Sequence, residues 1–400
     1  MKNISIRALG IALFWFLWSP GLAQAANGDW VTAWGTSQQG LGETKIGNAT
    51  VRMIARVTLP GDSVRIRLDN TFGMAPVTFS HATVAPRARG PAVAAILKTV
   101  TFGGKDSVTI PAGGTVESDA AAIHVDAQED LAVSLFIADA NVQPSQHNNA
   151  VVTSYLTENG GGDQTESTDG KPFTGKTTSM FWLKSIDVHP SSAAGGIVAF
   201  GDSITDGTCT TLDAHDRWED TLAERLALRS PVRLAVVNEG IGGNTIAGPA
   251  NSPPGMERLD RDVLSHAGVS YVVFFMGTND IRRGASADQV IAGMKDIIGR
   301  IKAKHIRIVG ATIIPRHSVV PGVTDTGWSD EKTATRNRVN DWIRKGAGFD
   351  AVLDFDRIVR SAENPDLLNP AYNCGDGVHP TPIGYFQMGK SVDLGIFGQK

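Results

Sequence analysis

The chain is poor in cysteine: its 400 residues include only Cys209 and Cys374. At most one internal disulfide is available, so a scaffold built from several bridges is excluded. Basic excess is also missing. Lys and Arg number 37 against 41 Asp and Glu, and the formal net charge is −4. No basic stripe runs along any segment, so no nucleic-acid partner is expected. After the first residues no apolar run is long enough to span a bilayer, which argues against stable membrane insertion. There is no H-E-x-x-H and no clustered ligand set, so no metal is expected. No organic cofactor is expected either.

What is present fits a globular chain of two or three domains, with 42% hydrophobic and 20% charged residues. Lys2 and Arg7 make a basic start, "ALGIALFWFLW" follows, and "GLAQA" puts Ala23 and Ala25 in A-x-A spacing. This is the pattern of a signal peptide over residues 1–25, cut after Ala25. The expected product is exported, periplasmic or secreted, and its two cysteines become a disulfide candidate.

Residues 26–190 read as β structure. "VRIRLDN" (Val64 to Asn70) alternates apolar and polar residues, and "PGD" makes a turn before it. "LAVSLFIA" and "AVVTSYL" are further strand candidates, separated by Gly, Asn, Asp and Pro clusters. Short strands at regular spacing predict an all-β sandwich. From about residue 191 to 400 the pattern changes. Strand candidates are Ile197–Phe200, Leu234–Val237, Tyr271–Met276, Ile306–Ile313 and Ala351–Phe355, with helices between them. In "SADQVIAGMKDIIGRIKAKH", Ser286 and Gln289 can form a capping box, and Val290, Ile291, Met294, Ile297, Ile298 and Ile301 share a face. "RWEDTLAERLALR" and "TRNRVNDWIRKG" are similar. Alternating strands and helices predict a parallel sheet flanked by helices. Ligands bind beyond the carboxyl ends of such strands.

Four loops fall at that edge: "GDSITDG", "NEGIGGNTI", "MGTNDI" and "DGVHPTPIGY". The first is not the G-x-S-x-G elbow, so a nucleophilic role for Ser203 depends on its partners. A serine hydroxyl needs a base, which His379 can be; Asp376 can hold the imidazole tautomer. Asp354 and Asp356 compete with Asp376, but only Asp376 has the Asp-x-x-His spacing. An oxyanion needs placed donors, and the Ser203 N–H, the Gly243 N–H and the Asn279 amide can supply them.

With these blocks in order, the chain resembles the SGNH subgroup of the GDSL esterase/lipase family from about Gly196 to Gly398. The resemblance implies a flavodoxin-like α/β domain with Ser203 as nucleophile, Asp376 and His379 completing the triad, and Ser203, Gly243 and Asn279 as the oxyanion hole. Gly243 matches the family position before Asn244-Thr245; Gly242 is the alternative. "WVTAWGTS" and "VRIRLDNTFG" resemble the β-sandwich preceding the hydrolase domain in a secreted subset. If the triad assembles, Cys209 and Cys374 are brought together, and a Cys209–Cys374 disulfide is expected.

Asp202 and Asp206 are expected to shape the serine loop by local hydrogen bonds. His215 and His317 are expected at the surface or rim. Trp182, Trp218, Trp328 and Tyr372 are either cleft-lining or packing residues. The expected function is an exported serine esterase acting on small-molecule or polysaccharide esters: acetylated polysaccharide, short-chain or aryl esters. Two alternatives stay open: an acyltransferase of the same family, and a carbohydrate-binding protein with a vestigial hydrolase domain.

Overall fold

The computed structural model describes residues 30–192, 194–229, 231, 233–317, 327–346 and 348–398. The expected signal segment 1–25 lies outside the described residues. Among them, no helix is long and apolar enough to cross a membrane.

Residues 31–188 are antiparallel β structure. Val31–Gly35, Leu183–Val188, Val64–Asp69 and Thr115–Glu117 form one sheet in that order. Ala49–Val57, Glu129–Ile137 and His81–Arg89 form the centre of a larger one, pairing in that order along most of their length. The strand expected at "AVVTSYL" is shorter than its apolar stretch and covers only Ser154–Leu156. Val51, Met53, Val64, Ile66, Leu131, Val133 and Trp182 meet in one buried core.

The second half is built on five parallel strands: β1 (Gly195–Gly201), β2 (Leu234–Gly240), β3 (Val269–Phe275), β4 (Arg307–Ala311) and β5 (Ala351–Leu353), in spatial order β2-β1-β3-β4-β5. Alternate side chains serve opposite faces, as the pleat requires. Ile197 and Ala199 pack with Trp218, Leu222, Tyr385 and Met388. Val198 and Phe200 pack with Val290, Met294, Ile297 and Val339. The helices doing this are Trp218–Ala227 and Pro382–Ser391 on one side, and Ala287–Lys302 and Asp330–Arg344 on the other. The Ser286–Gln289 capping box is formed. The helix at "TRNRVNDWIRKG" begins earlier than its apolar residues suggest, because Ser329 caps it by accepting from the Lys332 N–H. Trp182 and Trp218 are fully buried packing residues.

The two halves meet through charge. Lys184 Nζ lies 2.7 Å from Asp262 Oδ1, and both side chains are buried. Arg261 Nη2 donates to Gln38 O at 2.8 Å. Ser37 Oγ donates to Glu239 Oε2 at 2.5 Å, and His266 Nε2 lies 2.5 Å from the same carboxylate. Thr58 Oγ1 accepts from the Val236 N–H on the outer edge of β2 at 2.8 Å. An edge that would otherwise invite pairing with another chain is thereby covered.

Candidate active site

β1 ends at Gly201 and the chain turns at once into the short helix Ser203–Asp206. Asp202 Oδ1 accepts from the Ile204 N–H at 3.1 Å, the local bond expected of it. The Ser203 N–H, at the first helical position, has no intrahelical acceptor. Burial pushes the Asp202 carboxyl up to about 6, against the pull of the Ile204 N–H and the His379 and Arg316 charges.

His379 arrives in the loop before the helix Pro382–Ser391. Asp376 Oδ1 accepts from the N–H groups of Val378 and His379 at 2.8 and 2.9 Å, and its Oδ2 lies 2.5 Å from His379 Nδ1. Partial burial works against the Asp376 charge, but His379 and the two N–H donors outweigh it and hold the carboxyl at about 2. An ionised Asp376 only accepts, so Nδ1 carries the hydrogen. That leaves Nε2 to accept from Ser203 Oγ, 2.8 Å away. A hydroxyl so placed can lose its proton as it attacks.

The Cys209–Cys374 disulfide ties the segment after Ser203 to the loop carrying Asp376, across 165 residues. A second tie was not legible in sequence: Tyr385 Oη donates to Thr208 O at 2.8 Å.

Ile241–Asn244 is a tight turn closed by the Asn244 N–H on Ile241 O at 3.2 Å. Gly243 occupies its third position at φ +71°, where a side chain would be strained. The Gly242 N–H is taken by Asp206 Oδ2 at 2.7 Å, while the Gly243 N–H has no partner among the described residues. Of the two glycines, Gly243 has the donor to offer. Asn279 follows Gly277, whose φ is +126° and where a Cβ would stand 2.8 Å from Ile313 Cδ1. Asn279 Nδ2 donates to Asn244 O at 2.9 Å, leaving one amide hydrogen. Its Oδ1 accepts from Arg316 Nη1 at 3.2 Å. The Ser203 N–H, the Gly243 N–H and the Asn279 amide thus follow the carboxyl ends of β1, β2 and β3, at one end of the sheet.

Arg316 was not singled out by the sequence. It stands in "ATIIPRH", and its only signal is its place just past β4, at the same edge. Asp206 departs from its expected local role: its Oδ1 lies 3.0 Å from His147 Nε2 in the N-terminal half. Asp354 and Asp356 pair with Arg344 instead of a histidine. His317 lies at the rim, 27% exposed. His215 is not exposed at the surface: its side chain is 7% exposed and lines a small pocket with Arg56 and Arg217. Burial lowers its pKa. Trp328 is half-buried beneath Arg316, and Tyr372 packs on the core edge. The three-residue cluster Cys209, Cys374 and Asp376 has metal-like spacing, but its sulfurs are spent in the disulfide.

Residues 199–386 match the GDSL-like lipase/acylhydrolase family. Among solved structures, a GDSL-like lipase from Bacteroides thetaiotaomicron is 20% identical, with a TM-score of 0.37, over 50% of this chain and 87% of that one. A carbohydrate acetylesterase family member from Sinorhizobium meliloti is 18% identical, with a TM-score of 0.40, over 51% and 100%. A variant of a Geobacillus acetyl-xylooligosaccharide esterase is 20% identical, with a TM-score of 0.38, over 52% and 95%. No curated protein matches the chain.

Proposed function

We propose, from the match of residues 199–386 to the GDSL-like lipase/acylhydrolase family, that the chain is an exported serine esterase working through an acyl-enzyme. The observation that carries the reading is the hydrogen-bonded series Ser203–His379–Asp376, with 2.8 and 2.5 Å between its members. Ser203 Oγ attacks the ester carbonyl carbon while His379 Nε2 takes its proton. The oxyanion meets the Ser203 N–H, the Gly243 N–H and the free Asn279 amide hydrogen. Collapse breaks the ester C–O bond, and His379 returns the proton to the leaving oxygen. Water then attacks the acyl-enzyme by the same route. Each oxyanion donor is worth about 3–4 kcal/mol in the transition state.

In this reading residues 1–25 are the signal, 26–190 a β-sandwich and 191–400 a flavodoxin-like hydrolase domain. The strand order β2-β1-β3-β4-β5 supports the last assignment. The disulfide supports export to an oxidising compartment. A groove of about 580 Å³ opens beside Gly242, walled by Gln39, Gln146, Asn148, Ser179, Asn251 and Ser252 among others, with Glu43 its one charged side chain. Amides and hydroxyls without a cation suit a neutral, hydroxyl-rich ester such as an acetylated glycan over a long acyl chain. An ester panel varying acyl length and alcohol tests this: highest kcat/KM on acetylated neutral oligosaccharide is expected. Preference for long acyl chains refutes the substrate class. Acyl transfer to added sugar outpacing hydrolysis makes the protein a transferase instead.

A further inference from the structure

The N-terminal half reaches the Ile241–Asn244 turn by two routes that share one residue, Ser37. On the first route Ser37 Oγ accepts from Arg258 Nη1 at 2.8 Å. Arg258 is fully buried, and donates to Asn244 Oδ1 at 3.0 Å, Glu239 O at 2.9 Å and Gly201 O at 2.9 Å. One guanidinium therefore holds the end of β1, the end of β2 and the residue whose carbonyl receives Asn279.

The second route runs through His147, which is 2% exposed. Its Nδ1 lies 2.8 Å from Ser37 O and its Nε2 lies 3.0 Å from Asp206 Oδ1. A carbonyl and an ionised carboxylate both only accept, so both ring nitrogens must carry hydrogen for both bonds to form. The other Asp206 oxygen holds the Gly242 N–H at 2.7 Å, next to the free Gly243 N–H.

We propose that Ser37 and His147 are positioning residues for the oxyanion donors, His147 acting as an imidazolium through Asp206 and Gly242, and Ser37 acting through Arg258 and Asn244. The inference rests on the esterase reading of Gly243 and Asn279. It makes the N-terminal half part of the catalytic apparatus.

The charged groups facing His147 are Asp206 and Arg217, whose Nε donates to Asp206 O at 2.8 Å. Arg56, His215, Glu219 and Asp220 line the same cavity of about 60 Å³. Burial disfavours the imidazolium, but Asp206 and the Ser37 carbonyl outweigh burial and Arg217 and raise the His147 pKa. The ion pair is then complete below the ordinary histidine value of about 6.5 and is lost as pH rises through the raised one. Turnover should fall on the alkaline side as Gly242 loosens.

The experiment uses the full exported chain, p-nitrophenyl acetate turnover and the rate of Ser203 labelling by a serine-directed fluorophosphonate. In His147→Gln, kcat should fall roughly 10–100-fold with KM within about 3-fold, and the alkaline fall should disappear. Ser37→Ala should lose kcat but keep the alkaline fall. Nitrogen NMR of the wild type should show His147 with both ring N–H groups. A folded His147→Gln with wild-type kcat, or with an unchanged pH profile, overturns the inference. So does a neutral His147 in the wild type at mildly acidic pH, which decides the matter if the variant does not fold. Wild-type protein that neither turns over nor takes the label at Ser203 defeats the esterase reading instead.

Discussion

The Arg316 guanidinium lies 3.2 Å from Asn279 Oδ1, and that contact turns the amide so that Nδ2 faces Asn244 O at 2.9 Å. Asn279 is thus held at both ends of its carboxamide, with one hydrogen left over. Replacing it by Ala should lower kcat roughly 10²–10³-fold with little change in KM. Arg316→Ala should leave the donor in place but unsteered, and should lower kcat roughly 10-fold at similar KM. Initial rates across a range of substrate concentrations separate the two parameters. A change confined to KM would make Arg316 a substrate-binding group.

Ser203→Ala should abolish ester hydrolysis and leave the melting temperature near that of the wild type, because its hydroxyl bonds only His379 among the described residues. A fluorophosphonate should label Ser203 alone, read by peptide mass spectrometry. Label on a different serine would displace Ser203 from the nucleophile's role.

Much of this edge was legible because the first three motifs each follow an apolar strand and end it with residues a strand disfavours. The sheet then delivers Ser203, Gly243, Asn279 and Arg316 to one side regardless of their separation in sequence. Strand positions were read to within a few residues. Contacts between the halves were not legible. Ser37 sits in "GTSQQG" and His147 in "SQHNNA", polar stretches whose partners lie over fifty residues away, so no spacing rule marks them. His215 looked like a surface residue because its neighbours are polar, yet its side chain is 7% exposed in a small pocket shared with Arg56 and Arg217. Asp206 looked like a local cap because Asp is common in such turns; tertiary bonds to His147 and Gly242 took both of its oxygens.

Asp202 should cost stability at neutral pH. Its folded carboxyl titrates at about 6, above its unfolded value of about 3.9, so between those values the folded state holds a proton that the unfolded chain has released. Stability from this group therefore falls as pH rises across the window, by about 3 kcal/mol at most. Asp202→Asn keeps an oxygen for the Ile204 N–H and removes the charge. Its melting temperature should exceed that of the wild type above the window and show no gain below it. A variant less stable at every pH would contradict the assignment of burial as the governing cause.

Reducing the Cys209–Cys374 bond releases a closure of 165 residues. In the chain-entropy account such a bridge is worth about 5 kcal/mol at most. Cys209→Ser/Cys374→Ser should melt several degrees lower, and kcat should fall because the His379 loop loses its covalent tie to the Ser203 segment. The Tyr385–Thr208 hydrogen bond remains, so the loss should be partial. Thiol labelling of unreduced protein checks the bond, and calorimetry with turnover checks its worth. Equal melting points would remove its stabilising role.

The charged seam between the halves has a consequence for heredity. Separating them would open that seam to water and take Lys184 from Asp262 and Ser37 from Glu239, leaving Asp262 with Arg258 and Arg261 and Glu239 with His266. Recombination that moved either half alone into a new gene would therefore deliver a damaged fold. The two halves must be inherited, and must change, as one piece.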